Sequence, residues 1–496
     1  MSDLTALVLA AGQSRRMQSP LSKILHPVAG RPLLHYPVAA ALAAGASEIV
    51  VVTSPKERDT VERYLGQAFG AERIRVTVQD PPRGTGHAAQ VGLDAASDTA
   101  RRTLIIYGDV PLLEVRDLER LAAASRSDEE LALGTCRLAN PHGYGRILRD
   151  ERGAVTGIVE QKDLKDAKQA AINEINAGLY AVSVRTLRAA LQGLSNDNAQ
   201  GEYYLTDILN WFTRHGSISG VELSEDATLG VNDRSQLCLV QDRMYARIAE
   251  RHRLAGSSIS SGVRIDDAVI LGKDVTLHGG VHLRGATQIG DGSTIDVGCV
   301  LDDTRVGAGV TLLPYSVLSH SEVGAACQLG PFTHVRPGCV LEADVKLGNF
   351  VETKATRLRK GAKANHLSYL GDGDVGENTN IGAGTIFCNY DGYSKQKTTI
   401  GRDVFIGSDS QLIAPLRIGD GAYVATASTV TEDVPADALA IGRVKQSNKA
   451  GYAPKLRARL SAAKRAAAGG AAQEAGHGAG EKAGAGSSGA APKAPK

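Results

Sequence analysis

The sequence has few aromatic residues, few cysteines, little net charge and no long hydrophobic run. Aromatic side chains make up 4% of the 496 residues and glycine occupies 56 positions, a composition that suits a Gly-cornered repeat with an aliphatic interior. A formal charge of +2 gives no electrostatic indication of binding to nucleic acid or to a membrane. The six cysteines form no CxxC pair and no disulfide framework, and the apolar run Leu4–Ala11 is too short for a signal or membrane-spanning helix. We therefore expect a soluble cytoplasmic protein without membrane insertion.

Between Val263 and Val434 an apolar, mostly branched residue recurs at about every sixth position. These positions are Ile265, Leu271, Leu277, Leu283, Ile289, Ile295, Leu301, Leu312, Leu318, Val323, Leu329, Val335, Leu341, Leu347, Leu358, Ala364, Leu370, Val375, Ile381, Ile400, Ile406, Leu412, Ile418, Val424 and Val430. A six-residue period is typical of a parallel β-helix, in which each hexapeptide forms one flat face with one apolar side chain inside. The sequence therefore predicts stacked coils that share one continuous core.

The N-terminal third alternates predicted strands and helices. Apolar runs at 4–10, 48–53 and 102–107 read as strands, and 57–68 reads as a helix, which favours a doubly wound, Rossmann-like α/β domain. A loop over 11–17 follows the first strand, and its arginines and nearby Lys23 suit a phosphate chain. The loop matches neither GxGxxG nor a Walker motif, so an ordinary strand–helix turn with surface arginines remains an alternative on this loop alone.

Several further motifs lie where this domain would bind a ligand. They are Gly84-Thr85-Gly86-His87-Ala88, Tyr107-Gly108-Asp109-Val110-Pro111-Leu112, Gly143-Tyr144-Gly145-Arg146-Ile147, Asn176-Ala177-Gly178, the segment 200–207 (QGEYYLTD) and Gly230-Val231-Asn232. With them, the chain to about Asn448 resembles the bacterial bifunctional GlmU family of uridyltransferases and N-acetyltransferases. The resemblance implies a left-handed β-helix and a homotrimer whose acetyl-transfer sites are shared between neighbouring solenoids.

The resemblance also implies roles for residues of the N-terminal domain. Uridine would contact Leu9, Ala10, Ala11, Gly12, Gln79, Gly84 and Thr85. Arg16 and Lys23 would neutralise the triphosphate of UTP. The sugar phosphate would contact Tyr107, Gly108, Asp109, Gly145, Glu160 and Asn176, and Mg²⁺ would bind Asp109 and Asn232, since magnesium takes few protein oxygens and completes its shell with water and phosphate. One departure from the family pattern is Ser14-Arg15, which replaces Gly-Thr in the nucleotide loop.

Departures from the six-residue repeat indicate a second site in the solenoid. A pure scaffold would not need Arg336, Lys354, His366 or Tyr369, nor the interruption at 387–399. Arginine and lysine suit a sugar phosphate, and a histidine can accept a proton near neutral pH. By resemblance, glucosamine-1-phosphate would contact Arg336, Lys354, Tyr369 and Asn380, while acetyl-CoA or the sugar would contact Ala383, Asn389, Tyr390, Ser408, Thr426 and Arg443. His366 would be the catalytic base, with Glu352 a candidate to orient it, and Thr426-Ala427 departs from the family pattern.

We expect four segments: a uridyltransferase domain (1–234), a linker helix (235–255), an acetyltransferase β-helix (256–448), and a C-terminal arm and tail (449–496). The tail from Ala462 is expected to be disordered. The expected function is acetyl-CoA-dependent N-acetylation of glucosamine-1-phosphate, followed by Mg²⁺-dependent uridyl transfer from UTP. The main alternative is a single-activity nucleotidyltransferase whose β-helix only oligomerises the chain. A solenoid metalloenzyme is disfavoured, because His278, His282, His320, His334 and His366 share no coil spacing.

Overall fold

The computed structural model describes residues 3–12, 15–198 and 200–477. The chain divides into two compact units, residues 1–441 and 442–496. Among the described residues, no helix combines the length and the apolar character that crossing a bilayer requires.

The first unit begins with an α/β domain, as predicted. Its strands are β1 (Leu4–Leu9), β2 (Pro27–Val28), β3 (Arg31–Pro32), β4 (Glu48–Thr53), β5 (Ile74–Val78), β6 (Arg102–Tyr107), β7 (Glu130–Arg137), β8 (Arg146–Arg149), β9 (Val155–Val159), β10 (Glu174–Ser183) and β11 (Ser217–Glu222). Its helices are α1 (His35–Ala43), α2 (Arg58–Phe69), α3 (Thr85–Ala95), α4 (Val115–Ala124), α5 (Ala167–Ala170), α6 (Val184–Gln192) and α7 (Ile208–His215). Short 3₁₀ turns lie at Arg15–Met17, Lys23–Leu25, Gln161–Asp163, Leu205–Asp207 and Glu225–Thr228.

The main sheet of this domain has the strand order β11-β7-β10-β6-β1-β4-β5. Strands β6, β1, β4 and β5 are parallel, so their carboxyl ends meet at one edge, where open α/β sheets bind ligands. Strand β10 runs antiparallel to both β6 and β7, which makes the sheet mixed rather than fully parallel. The central strands are buried on both sides, which explains their nearly unbroken runs of Val, Ile and Leu.

The predicted β-helix is present, and its strands form three parallel sheets. Face 1 contains Ser258–Ile259, Thr276–Leu277, Thr294–Ile295, Thr311–Leu312, Gln328–Leu329, Lys346–Asn349, Lys363–His366, Asn380–Ile381, Phe405–Ile406, Tyr423–Val424 and Leu439–Ala440. Face 2 contains Arg264–Ile265, His282–Arg284, Val300–Asp302, Val317–Ser319, His334–Val335, Glu352–Lys354, Tyr369–Gly371, Ile386–Cys388, Gln411–Ile413 and Thr429–Val430. Face 3 contains Ile270–Leu271, Gln288–Ile289, Arg305–Val306, Glu322–Val323, Val340–Leu341, Arg357–Leu358, Gly373–Val375, Thr398–Ile400 and Leu416–Ile418.

The six-residue repeat identifies the interior of the solenoid. Every apolar position given by the repeat is buried except Leu271, which is partly exposed. Slips in the repeat correspond to shortened corners: Leu283 pairs with Leu301 one coil on, but Leu301 pairs with Leu318 after one residue fewer. The interruption after Phe387 is an insertion that enlarges one coil, since Val375 pairs with Ile400.

A long helix, α8 (Arg234–Leu254), joins the α/β domain to the first coil, close to the predicted linker. The Asp233 carboxylate caps its N-terminus by accepting a hydrogen bond from the Gln236 backbone N–H. Its buried side chains are Leu237, Val240, Met244, Ile248 and Ala249. They belong to one apolar cluster with Val28 and Leu33 on one side and the solenoid interior on the other, so the α/β domain and the solenoid share a core.

The second unit contains helix α9 (Tyr452–His477). The prediction of disorder from Ala462 is therefore wrong for residues 462–477, and 478–496 lie outside the described residues. The reason is that alanine, lysine and arginine are strong helix formers even where they bury no core. A segment without large aliphatic residues can thus be helical without contributing to a core.

Candidate active sites

The first candidate site is a cavity of about 820 Å³ at the carboxyl edge of the main sheet. Its lining residues are Leu9, Ala10, Ala11, Gly12, Arg16, Lys23, Ile24, Gln79, Pro82, Gly84, Thr85, Ala88, Tyr107, Asp109, Gln200 and Glu202. Strands β1, β5 and β6 deliver most of these residues, because each ends at this edge. Eleven of the sixteen residues predicted to bind the nucleotide and sugar lie in this lining.

Two glycines allow the walls of the cavity to approach each other closely. A Cβ on Gly108 would lie 3.0 Å from the Cβ of Ala10, a tight contact that would push the ends of β1 and β6 apart by a few tenths of an ångström. Gly84 has φ +106°, and a Cβ there would lie 2.5 Å from the carbonyl oxygen of Tyr203. Gln79 fixes the same loop by donating to the Gly84 carbonyl at 2.9 Å. This geometry produces a rigid wall at the predicted uridine end.

Cations and oxygen ligands meet at the other end of the cavity. The Lys23 ammonium lies 2.5 Å from the Asp109 carboxylate and 3.5 Å from the Asn232 side-chain oxygen. Arg16 donates to the same Asn232 oxygen at 3.1 Å. Asp109 follows β6 and Asn232 lies just before α8, so the fold brings together residues more than one hundred positions apart. The two oxygens facing one cation suit Mg²⁺, which needs few protein ligands when phosphate and water supply the rest.

The residues predicted to hold the sugar form a patch that continues from Tyr107. The Asn176 side-chain oxygen accepts a hydrogen bond from the Gly178 N–H at 2.8 Å, and a Cβ on Gly178 would strike the Tyr107 ring. The Asn176 N–H donates to the Gly145 carbonyl at 2.9 Å, and the ideal Cβ position of Gly145 lies 3.3 Å from the Glu160 carboxylate. Burial, with Asp109 and Glu160 nearby, raises the pKa of Tyr107, so its phenol stays neutral and able to donate.

Glu160 has an environment that disfavours its charge. Burial is the main cause that raises the pKa of its carboxyl above the usual range, and the carboxylates of Asp163 and Asp207 add to the effect. A carboxyl in such surroundings is well suited to hydrogen-bond a neutral sugar hydroxyl rather than to pair with a phosphate.

The second candidate site lies on the solenoid around face 2. Arg336 donates to the Glu352 carboxylate at 2.8 Å, and Glu352 pairs in register with Tyr369 on the next coil. Lys354 lies 3.9 Å from the Asp372 carboxylate. The Asn389 amide donates to that same carboxylate at 2.5 Å.

Sequence reasoning missed two residues of this cluster, Lys395 and Asp372. Lys395 comes from the inserted loop, and its contact with Lys354 lowers the pKa of the Lys395 ammonium. The Asp372 carboxylate is the acidic group beside these two ammonium groups. Two cations this close together are suited to binding a dianionic phosphate. The interrupted repeat was a signal for the loop, but nothing in the spacing indicated that the loop folds back onto Lys354.

His366 lies at the corner between faces 1 and 2, and residues predicted to contact acetyl-CoA follow it along that corner. Backbone hydrogen bonds link successive coils there: Gly384 donates to the His366 carbonyl, Asp409 to that of Ala383, and Ala427 to that of Ser408. Ala383, Ser408 and Thr426 thus occupy equivalent positions below His366. The side chain of His366 is exposed and makes no hydrogen bond within the described residues.

Other predicted residues are distributed around this corner. Glu352 pairs with Arg336 rather than with His366, so the described contacts give no support to its orienting the imidazole. Asn380 projects from face 1, in register with Lys363 and Phe405, whereas Tyr369 is on face 2. Tyr390 is largely exposed, and its hydroxyl donates to the Gly392 carbonyl within the inserted loop. Arg443 belongs to the second unit.

Comparison with known proteins agrees with both halves of the chain. The profile of the MobA-like NTP transferase domain matches residues 6–205. The chain is 51% identical over 462 residues to a protein of Sorangium cellulosum named bifunctional protein GlmU, covering 92% of this chain and 97% of that relative. Relatives with the same name from Trichlorobacter lovleyi and Geobacter sulfurreducens are each 44% identical, covering 92% of this chain and 99% and 100% of their own lengths.

Proposed function

The chain belongs to the bifunctional GlmU family, and from this premise we propose that it catalyses two consecutive steps of UDP-N-acetylglucosamine synthesis. The solenoid acetylates glucosamine-1-phosphate with acetyl-CoA, and the α/β domain transfers uridylate from UTP to the acetylated product, releasing pyrophosphate. The product is a precursor of peptidoglycan and lipopolysaccharide. The observation that carries the proposal is that one chain contains both the Lys23–Asp109–Asn232 cluster and the Lys354–Asp372–Asn389 cluster.

Uridyl transfer is assigned to the 820 Å³ cavity. The nucleotide base lies against the wall built by Gln79 and Gly84, and the phosphates lie toward Arg16 and Lys23. Asp109 and Asn232 would hold Mg²⁺, which when bound would supply positive charge to offset that of the phosphates. The attacking sugar phosphate is already an anion, so the protein needs no base and acts by positioning and charge neutralisation.

Acetyl transfer is assigned to the corner at His366. The sugar phosphate is held by the cations Arg336, Lys354 and Lys395. The amine of glucosamine must lose a proton as it attacks the thioester carbonyl, and the exposed imidazole of His366 accepts it. The C–N bond forms as the C–S bond breaks, and the coenzyme thiolate takes up a proton to leave as free thiol. The coenzyme lies along the corner of Ala383, Ser408 and Thr426.

A homotrimer is part of the proposal. At the same corner, Tyr315, Phe332 and Phe350 form an exposed stack with ring centroids 5.6 and 5.4 Å apart, and Leu367 extends it on the next coil. All four residues have positive φ, a conformation that costs energy for a side chain of this size. We assign this apolar corner ladder to contact with a second copy of the chain, which would bring a neighbouring solenoid next to His366.

A cytoplasmic location is proposed because both donors, UTP and acetyl-CoA, are cytoplasmic metabolites. The domain boundaries at 234, 255 and 448 are likewise retained as a proposal, with α8 as the linker.

One assay tests the function directly. The purified protein is incubated with glucosamine-1-phosphate, acetyl-CoA, UTP and Mg²⁺ while free thiol and pyrophosphate are measured. We expect both products, with pyrophosphate alone abolished by a chelator. Pyrophosphate from N-acetylglucosamine-1-phosphate without any thiol release would instead establish the single-activity alternative. Sedimentation velocity on the same sample tests the trimer, and a fully active monomer would contradict it.

A further inference from the structure

The near-neutral charge of the whole chain conceals a strong separation of charge along it. Of the 56 Lys and Arg residues, 11 lie after Ile441, whereas only 2 of the 54 Asp and Glu residues do. The segment 442–496 therefore carries a formal +9 and the preceding 441 residues carry −7. Between Gly442 and Gln473 there are eight cations and no carboxylate. Charge asymmetry of this kind indicates an anionic partner for the basic segment.

Helix α9 arranges its first four turns as an apolar stripe bounded by cations. The stripe contains Tyr452, Leu456, Leu460, Ala463 and Ala467, which follow one another at spacings of three or four residues and therefore share one helix face. Its margins carry Lys455 and Arg459 on one side and Arg457 and Lys464 on the other. Much of the stripe is open: Tyr452 is 45% and Leu460 57% exposed, although the Lys449 ammonium lies 5.7 Å from the centre of the Tyr452 ring. Leu456 between them is partly buried.

We propose that the α9 stripe and its marginal cations bind the surface of an anionic phospholipid bilayer. Such a helix lies in the plane of the interface, with the apolar stripe at the level of the acyl chains and the lysine and arginine heads among lipid phosphates. The stripe has only three large apolar side chains, so attraction to anionic headgroups supplies most of the binding and the association is reversible. The helix lies on the membrane and does not cross it.

A bilayer explains both features of α9, whereas the other polyanions explain only one. Nucleic acid offers phosphates to the cations but no apolar phase for Leu456 and Leu460. The acidic remainder of a second copy offers carboxylates, but these are dispersed over a surface that is itself well hydrated. The formal −7 of residues 1–441 also repels an anionic leaflet, so the contact is restricted to the C-terminal unit.

The test measures co-sedimentation of the full-length protein with vesicles. Vesicles of phosphatidylcholine alone are compared with vesicles containing added phosphatidylglycerol, at low and high salt. Two variants each neutralise one margin, Lys455→Gln/Arg459→Gln and Arg457→Gln/Lys464→Gln. A matched control, Arg63→Gln/Arg120→Gln, makes the same change of charge on exposed sites of the α/β domain. A third variant, Leu456→Ala/Leu460→Ala, removes the stripe but keeps the charge and the helix propensity.

We expect binding only to the anionic vesicles, weakened by salt. Each marginal pair should reduce the partition coefficient by roughly tenfold or more, since each cation near an anionic leaflet contributes a similar share. The control should bind as the parent does, and the stripe variant should lose the part of the binding that resists salt. All variants should keep both enzymatic activities, and this result would show that they are correctly folded. Equal binding to both vesicle types, or parent-like binding by the marginal variants, would overturn the proposal. The proposal would also be overturned if the protein does not bind the vesicles but binds duplex oligonucleotide through the same four cations.

Discussion

Replacing His366 by alanine separates catalysis from structure at the acetyl-transfer site. The imidazole is exposed and makes no hydrogen bond within the described residues. What the position contributes to the coil is its carbonyl, which accepts hydrogen bonds from the Ser368 hydroxyl at 2.9 Å and the Gly384 N–H at 3.4 Å. Alanine keeps that carbonyl, and shortening an exposed side chain leaves no cavity in the core. We therefore expect the free energy of unfolding to change by less than about 0.5 kcal/mol, and the melting temperature by less than about 2 °C.

The effect on the rate of acetyl transfer should be far larger. A positioned general base contributes roughly 10²–10⁴-fold, which corresponds to about 3–5 kcal/mol of transition-state stabilisation. The sugar phosphate is held mainly by Arg336, Lys354 and Lys395, which the substitution does not touch. The loss should therefore fall on kcat, with KM for glucosamine-1-phosphate nearly unchanged. Uridyl transfer should be unaffected, because its cavity is built by β1, β5 and β6.

The measurement follows thiol release from acetyl-CoA at saturating sugar phosphate, with pyrophosphate release from N-acetylglucosamine-1-phosphate measured in the same preparation. His278→Ala is the matched control, since His278 is an exposed histidine on an earlier coil of the same solenoid. It should retain both activities. If His366→Ala acetylates within about threefold of the parent rate, or loses activity only in proportion to a lowered melting temperature, the role of His366 as base is refuted.

Four further predictions concern the remaining parts of both sites. Asp109→Ala should abolish pyrophosphate release and leave thiol release unchanged, because only the first site is assigned a metal; equal loss of both activities in a folded trimer would contradict this. Lys395→Met should raise KM for glucosamine-1-phosphate by roughly tenfold without changing KM for acetyl-CoA, since it removes one phosphate contact; a change confined to the coenzyme would place the residue elsewhere. Glu160→Gln should raise the melting temperature at pH 7–8, because the raised pKa of Glu160 means that its ionisation destabilises the folded state. The gain should vanish below about pH 4.5, where the Glu160 carboxyl of the parent is protonated in both the folded and the unfolded state. An unchanged or lowered melting temperature at pH 8 would count against the burial argument. A fragment ending at Gly256 should be more stable and more active in uridyl transfer than one ending at Arg234, because the shorter fragment loses the apolar face of α8. If the two fragments are equally stable and equally active, this face contributes little.

The spacing of apolar residues was enough to specify most of the architecture. One side chain per six residues must enter the interior of a β-helix, so the periodicity is a direct record of which positions are buried, and even the slips mark real corners such as the one after Leu301. Apolar runs likewise identified β1, β4 and β6, because strands covered on both faces leave no room for polar residues. The residues of the nucleotide site were predicted from motifs at strand ends, where backbone requirements constrain sequence locally. Gly84 is an example, since its positive φ and the closeness of the Tyr203 carbonyl leave no place for a side chain.

Contacts between distant segments were decided only by the tertiary structure. Periodicity records whether a side chain points inward, but it contains no information about which outward side chains meet. The pairing of Glu352 with Arg336 instead of His366, and the return of the inserted loop that sets Lys395 against Lys354, depend on how an irregular coil packs on its neighbours. The helical part of the tail from Ala462 was missed for a related reason: the absence of large aliphatic residues there excludes a buried core, but helix formation by alanine and basic residues needs no core. The two cations that meet Asn232 come from a loop more than two hundred residues away, and only the folded chain brings them together.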